Sequence, residues 1–305
     1  METMLNNIIS SNKKYTADGK VASYIPELKK ANQNDLGICI IDKDNNIYCA
    51  GDYNKKFTIQ SISKTIILAM ALIDNEWGYV FSKVGMEPSG DPFNSIMKLE
   101  TNDTKKPCNP MINAGAIVTT SLIKGKNLQE KEERMLAFFR KLAKNDTLKI
   151  NESVYKSEKL TGDRNRAMGY LLKNDGFIEG NVEEVLDLYF KQCSIEVDVV
   201  DLARIGLLFA NYGIDIETGE RVISEDISRI VKTFMVTCGM YDASGEFAIK
   251  VGIPAKSGVG GGIMASVPKR MGIGVFGPAL DKKGNSIGGL NILKDLSAKL
   301  ELNIF

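Results

Sequence analysis

Seven times in this chain a serine is followed three residues later by a lysine, starting at Ser10, Ser11, Ser61, Ser95, Ser121, Ser153 and Ser266. On a helix that spacing puts both side chains on one face. A neutral amine can then take the serine proton, so the pair can make a nucleophile without histidine. Context separates the seven. Ser61-Ile62-Ser63-Lys64 alone opens a long apolar segment, free of Gly and Pro, directly after a strand-like stretch. A serine there stands at a helix N-terminus, beside free amides and the positive end of the helix dipole. Burial of that helix desolvates Lys64 and lowers its pKa toward the working range. The plain alternative is a capping serine with a snorkelling lysine.

Histidine is absent from all 305 residues. This removes Ser-His-Asp and Cys-His mechanisms and imidazole-based zinc sites. Proton transfer must use Lys, Tyr, Asp, Glu or water. The five cysteines (Cys39, Cys49, Cys108, Cys193 and Cys238) are widely spaced and contain no CxxC pair. They are expected to be small buried apolar residues in a reducing cytoplasm, with neither a disulfide framework nor a metal site. No cofactor is expected. Gly272-Ile-Gly274-Val-Phe-Gly277 has the glycines of a dinucleotide loop, but Pro278 and a polar stretch follow where a helix should open. Gly284-Asn-Ser286-Ile-Gly288 resembles a nucleophile elbow, yet lacks any histidine partner and is expected to be a turn.

A second element supports the Ser61 pair. Lys256-Ser257-Gly258 is the single Lys-[Ser/Thr]-Gly in the chain and precedes a strand-like run, Val259 to Ile263. Penicillin-recognising serine enzymes couple SxxK with such a tripeptide. An edge strand of small residues lets a substrate lie against the backbone, and its amides can complete an oxyanion hole with that of Ser61.

The elements that must position these groups come in three blocks. Leu36–Ile41 and Ile47–Ala50, joined by Asp42-Lys-Asp-Asn-Asn46, read as a β-hairpin. The middle is helical. Leu136, Phe138, Phe139 and Leu142 mark one helix, and Asn181 with Glu184 suggests a cap opening another toward Phe190. Val199–Tyr212, stopped by Gly213, and Ile227–Val236 are two more. Strand character returns at Gly258–Ala265 and Arg270–Phe276, and Leu290–Leu300 closes the chain as a helix. Strands early and late with helices between them predict one α+β domain. Its sheet part spans about 1–60 and 237–305, with a helical subdomain inserted over about 61–236. Hydrophobic residues at 44%, charged residues at 25% and a net charge of +1 describe a globular chain with no electrostatic case for nucleic acid. The longest apolar run, Ile66 to Ile73, is far short of the roughly 20 residues of a membrane helix. The first residues lack the apolar core of an export signal, so a cytoplasmic protein is expected.

Across nearly its whole length the chain resembles the serine-dependent glutaminases in their short bacterial form. The resemblance is carried by Lys20-Val-Ala-Ser-Tyr-Ile-Pro26, Gln60-Ser-Ile-Ser-Lys64, Asn109-Pro-Met-Ile-Asn-Ala-Gly-Ala116, Ser157-Glu-Lys159 with Gly162-Asp-Arg-Asn165, Cys238-Gly-Met-Tyr-Asp242 and Ala255-Lys-Ser-Gly-Val-Gly-Gly-Gly262. It implies a β-lactamase/transpeptidase-like fold, an antiparallel sheet flanked by helices. It also implies hydrolysis of L-glutamine to L-glutamate and ammonia, with Ser61 as nucleophile and Lys64 as its activating partner. Tyr24, Asn113, Glu158, Asn165, Tyr189, Tyr241 and Val259 become substrate-site positions by the same matching. Glu158 suits the α-ammonium of glutamine; Asn113, Asn165, Tyr24 and Tyr189 suit the carboxylate and its surroundings. Tyr241 would shuttle a proton to the leaving ammonia, and Val259 would act through its backbone amide. A homo-oligomer, dimer or tetramer, is the expected assembly. Two other readings stay open: a β-lactamase or D-alanyl carboxypeptidase of the same fold, and a binding module that keeps the pocket without turnover.

Overall fold

The computed structural model describes residues 1–305 apart from Asp91, Phe93, Asn102 and Asp103. Five strands form one antiparallel sheet: β1 (Gly37–Asp42), β2 (Ile47–Gly51), β5 (Ala255–Ser257), β6 (Gly262–Val267) and β7 (Met271–Phe276). Their spatial order is β2-β1-β7-β6-β5, so the two ends of the chain meet in its middle. A two-residue ladder stands apart, joining β3 (Phe57–Thr58) to β4 (Glu196–Val197) from within the helical block. Turn chemistry sets the first hairpin. Asp42 Oδ1 accepts from the amides of Asp44 and Asn46 at 3.0 and 2.9 Å, and Asn45 takes the left-handed conformation that asparagine tolerates.

Apart from its outer strand β2, the sheet is buried on both faces, which is why those strands read as nearly continuous apolar runs. Ile38, Ile40, Ile263, Ala265, Ile273 and Val275 pack with Leu5 and Ile8 of the Glu2–Asn12 helix and Ile292, Leu293 and Leu296 of the Ile287–Leu300 helix. The alternate positions Cys39, Ile41, Met264 and Phe276 join the larger core under the helices. The Val199–Ala210 helix lies across that second face. It comes so near that a Cβ on Gly272 would sit 2.0 Å from the carbonyl oxygen of Ala203, and one on Gly274 would sit 2.0 Å from that of Val199. The glycines of the dinucleotide-like pattern are therefore bare for helix-on-sheet packing. Ser286, the serine of the elbow-like pattern, caps the last helix by accepting from Gly289 N at 3.1 Å.

The helical expectations hold with shifted ends: Leu128–Ala143, Val182–Cys193, Val199–Ala210 and Glu225–Cys238. Asn181 caps the second of these as expected, its side chain accepting from Glu183 N at 2.9 Å, and a reciprocal capping box forms at Asp198 and Asp201. One local reading is corrected. Gly258–Gly261 is a turn between β5 and β6, closed by Gly258 N–H to the carbonyl of Gly262 at 2.9 Å, so the late strand starts at Gly262. Cys39 and Cys49 face each other across β1 and β2 with their sulfurs 2.7 Å apart. None of the described helices is long and apolar enough to cross a membrane.

Candidate active site

Ser61 lies in a 3₁₀ turn, Gln60–Ile62, that runs into the Ser63–Asp74 helix. The serine thus precedes the α-helix proper instead of occupying its first turn. Gln60 adopts φ +50°, a left-handed conformation costly for a residue with a side chain, and it is 2% exposed. The neighbouring backbone holds it there. Ile59 N donates to Ile195 O at 2.9 Å, and Ser63 Oγ donates to Gln60 O at 2.7 Å. The glycine turn after Lys256-Ser257 docks onto this segment. A Cβ on Gly258 would lie 2.8 Å from Ile59 O, and one on Gly260 would lie 2.6 Å from Thr58 O. The bare backbone of 258–260 brings Val259 beside Ser61.

Lys64 is wholly buried. Its Nζ donates to Asn113 Oδ1 at 2.7 Å and to Met111 O at 3.1 Å. These partners are neutral, and burial lowers the amine to about 8 despite the opposing pull of Glu158. Asn113 begins the Asn113–Ser121 helix and passes the contact on, its Nδ2 donating to Asn165 Oδ1 at 3.1 Å. The preceding turn is built by Asn109, whose Oδ1 accepts from Met111 N and Ile112 N at 2.9 and 3.2 Å. Gly115 is bare because a Cβ would meet Asn109 O at 2.0 Å.

Tyr241 approaches from the other side, in a 3₁₀ turn (Tyr241–Ala243) with φ +53°. Its buried hydroxyl lies by the side chain of Ser61 and the backbone of Val259, and burial raises its pKa above the usual phenol value against the pull of those two groups. The ring is capped by the Lys256 amine, 4.5 Å from its centroid. Lys256 Nζ donates to Ser257 O at 2.7 Å and Gly239 O at 3.2 Å. Burial, then the charge of Lys64, holds its pKa well below the ordinary value. Lys256 and Ser257 lie on the edge strand of the sheet, and the turn that follows it, rather than a strand, carries the Val259 amide.

In front of Ser61 is a cavity of about 190 Å³ lined by Tyr24, Asn113, Glu158, Asn165 and Tyr189 among others. Glu158, on the Glu152–Leu160 helix, is 7% exposed, and burial pushes its carboxyl up to about 7 against the hydrogen bond from Gln60 and the charge of Lys64. Tyr24 stands at the rim with 56% of its surface open, but its hydroxyl end is crowded by protein and its pKa is raised. Tyr189 is buried at the inner wall beside Cys193. The fold thus gathers all nine sequence-derived positions, separated by up to 235 residues, around one serine. Sequence reasoning missed Gln60, Asn94, Arg164 and Cys193, which line the same cavity. Gln60 and Arg164 lay inside quoted motifs, but nothing in their types marked them. Among the described residues no group of three or more His, Cys, Asp or Glu could hold a metal ion.

The chain matches the Glutaminase family over residues 19–305. It is 79% identical over 304 residues to a glutaminase of Clostridioides difficile (strain 630), covering 100% of this chain and 98% of the relative. It is 61% identical to glutaminase 2 of Clostridium perfringens (strain 13 / Type A), with both chains covered in full. A Bacillus subtilis glutaminase in covalent complex with 5-oxo-L-norleucine superimposes with a TM-score of 0.92 at 41% identity, covering 100% of this chain and 99% of the other. A Bacillus glutaminase solved in 4.3 M NaCl gives 0.93 at 42%, with the same coverage. The chain belongs to the glutaminase family.

Proposed function

We propose that this enzyme hydrolyses L-glutamine to L-glutamate and ammonia through an acyl-enzyme on Ser61. The contact of the Ser61 side chain with the Tyr241 hydroxyl, one helical turn before a buried lysine of lowered pKa, carries the reading. Lys64, neutral in the working enzyme, accepts the Ser61 proton as Oγ attacks the side-chain amide carbon. The amides of Ser61 and Val259 stabilise the oxyanion, whose charge develops in a site with little water. Tyr241 delivers a proton to the departing nitrogen as the C–N bond breaks, and ammonia leaves. Water then attacks the glutamyl ester, gives its proton back through the same groups, and Ser61 is restored with release of glutamate. Glu158 receives the α-ammonium at the far end of the cavity; Asn113, Asn165, Tyr24 and Tyr189 surround the α-carboxylate.

The neighbour modified by reaction with 6-diazo-5-oxo-L-norleucine supports a nucleophilic site that recognises a glutamine-like skeleton. The test is direct. Acid quench of the enzyme during turnover, followed by peptide mass analysis, should find a glutamyl group on the peptide containing Ser61. Ser61→Ala should fold and release no ammonia above background. Near-normal ammonia release by the folded variant would remove Ser61 from the mechanism. A homo-oligomer acting in the cytoplasm completes the proposal. Five free cysteines suit a reducing compartment, and exposed Ile73 and Trp77 offer apolar surface to a second copy. Light scattering and cell fractionation test those two points.

A further inference from the structure

Cys39 and Cys49 stand directly opposite each other on β1 and β2, and their sulfurs share a hydrogen bond at 2.7 Å. The ladder identifies the kind of pair. Asp52 N donates to Leu36 O, and Asp42 N donates to Asn46 O. Leu36/Asp52 and Asp42/Asn46 are therefore hydrogen-bonded pairs. Such pairs alternate along an antiparallel ladder, so Cys39/Cys49, three positions from each, is a non-hydrogen-bonded pair. In that kind of pair the Cα atoms are about 4.5 Å apart and the side chains are closest, inside the roughly 4.4–6.8 Å that a disulfide spans. No backbone movement is needed to bring the sulfurs together.

The two thiols are unlike. Cys39 is fully buried, whereas Cys49 is partly exposed on the outer strand of the sheet. The shared hydrogen bond holds the Cys49 thiol below its usual pKa and pushes that of Cys39 up. Asp198 faces both sulfurs, Glu2 faces Cys49, and Arg204 faces Cys39. Cys49, the more exposed of the two, therefore has the reach of an attacking thiol, with Cys39 poised behind it as the resolving thiol.

We propose that Cys39 and Cys49 form a peroxide-sensitive modification site that closes a reversible cross-strand disulfide. The Cys49 thiolate attacks one oxygen of hydrogen peroxide, the O–O bond breaks, and hydroxide leaves and is protonated to water. The resulting sulfenic acid is attacked by the Cys39 sulfur, which forms the S–S bond. The sulfenic oxygen departs as hydroxide and takes the Cys39 proton to become a second water. Two thiols are oxidised to one disulfide and one peroxide is reduced to two waters. A dithiol reverses the step by thiol–disulfide exchange. The site lies at the β2 edge of the sheet, and Lys256 lies at the β5 edge. Closure therefore stiffens the outer hairpin and leaves glutamine turnover unchanged, independently of the roles proposed for Ser61 and its neighbours.

The experiment treats the full-length enzyme with hydrogen peroxide, alkylates the remaining thiols and digests without reduction. The expected product is a peptide joining Cys39 to Cys49, lighter by two hydrogens and lost after dithiothreitol. The oxidised enzyme should melt higher by roughly a few degrees, because a closed loop limits the unfolded chain, and should return to the original midpoint on reduction. Cys49→Ser, at the more exposed position, should give neither link nor shift. Cys39→Ala should leave Cys49 trappable as a sulfenic acid by dimedone. The proposal is overturned if both thiols remain alkylatable after peroxide, if Cys49 passes to a sulfinic acid with Cys39 still free, or if the link survives dithiothreitol.

Discussion

The Lys64 amine donates a 2.7 Å hydrogen bond to the side-chain oxygen of Asn113 and a 3.1 Å hydrogen bond to the Met111 carbonyl, both uncharged acceptors. The amine is thereby positioned without being locked in its charged form, and its pKa of about 8 follows from burial. In the proposed mechanism two groups must lose a proton for the free enzyme to work: Glu158 near 7 and Lys64 near 8. The expected kcat/KM for glutamine rises steeply between pH 6 and about 8 and then flattens. Steady-state kinetics across that range check it, and a flat profile would exclude the amine as base. Lys64→Met should cost at least about 10²–10⁴ in kcat by the usual worth of a general base.

Tyr241→Phe keeps the ring under Lys256 and removes the hydroxyl that meets Ser61 and Val259. The expected loss is in kcat, about 10²–10⁴-fold, with KM little changed, because the proposed role of the hydroxyl is to protonate the leaving nitrogen. A change confined to KM would make Tyr241 a binding residue. Circular dichroism of the variant guards against a simple folding defect.

Glu158→Gln separates binding from stability. Burial raises the Glu158 carboxyl from its ordinary value of 4.5 to about 7. The protonated form is thus favoured by the fold, and the parent enzyme loses stability as pH rises from about 4.5 through 7. The glutamine variant has no such loss. At pH 8 it should be as stable as the parent or more so, by up to about 3 kcal/mol. Its kcat/KM for glutamine should nevertheless fall by an amount equivalent to about 2–5 kcal/mol, because the substrate ammonium would lose the buried partner proposed for it. Urea unfolding at pH 5 and 8, beside kinetics, reads both effects. A variant that turns over glutamine like the parent would make Glu158 structural.

Gly272→Ala tests the helix-on-sheet seam far from any chemistry. The new Cβ would lie 2.0 Å from Ala203 O and 2.1 Å from Leu207 N, both backbone atoms that cannot rotate away. The expected cost exceeds about 3 kcal/mol, measurable as a lowered urea midpoint. Gly245→Ala, with open space around it, is the matched control and should be nearly neutral.

What the sequence determined by itself is local or compositional. The hairpin over 36–51, the apolar segment after Ser61 and the glycine stop at Gly213 follow from turn residues and hydrophobic period over a few neighbours. The absence of histidine restricted the chemistry, and the Ser61-to-Lys64 spacing with Lys256-Ser257-Gly258 pointed to the centre proposed for it. Only the tertiary structure decided how these pieces meet. The run after Lys256 reads as strand because glycine and β-branched residues suit one. Its first four residues are a turn because the backbone of Thr58–Ile59 passes where side chains would be. Gln60 and Tyr241 hold left-handed backbones that their own types disfavour, so no propensity could announce them. Cys39 and Cys49, ten residues apart and without a motif, become a pair only through strand register. The lowered pKa of Lys64 and the raised one of Glu158 likewise come from burial, which is a property of everything packed around a residue rather than of its neighbours in the chain.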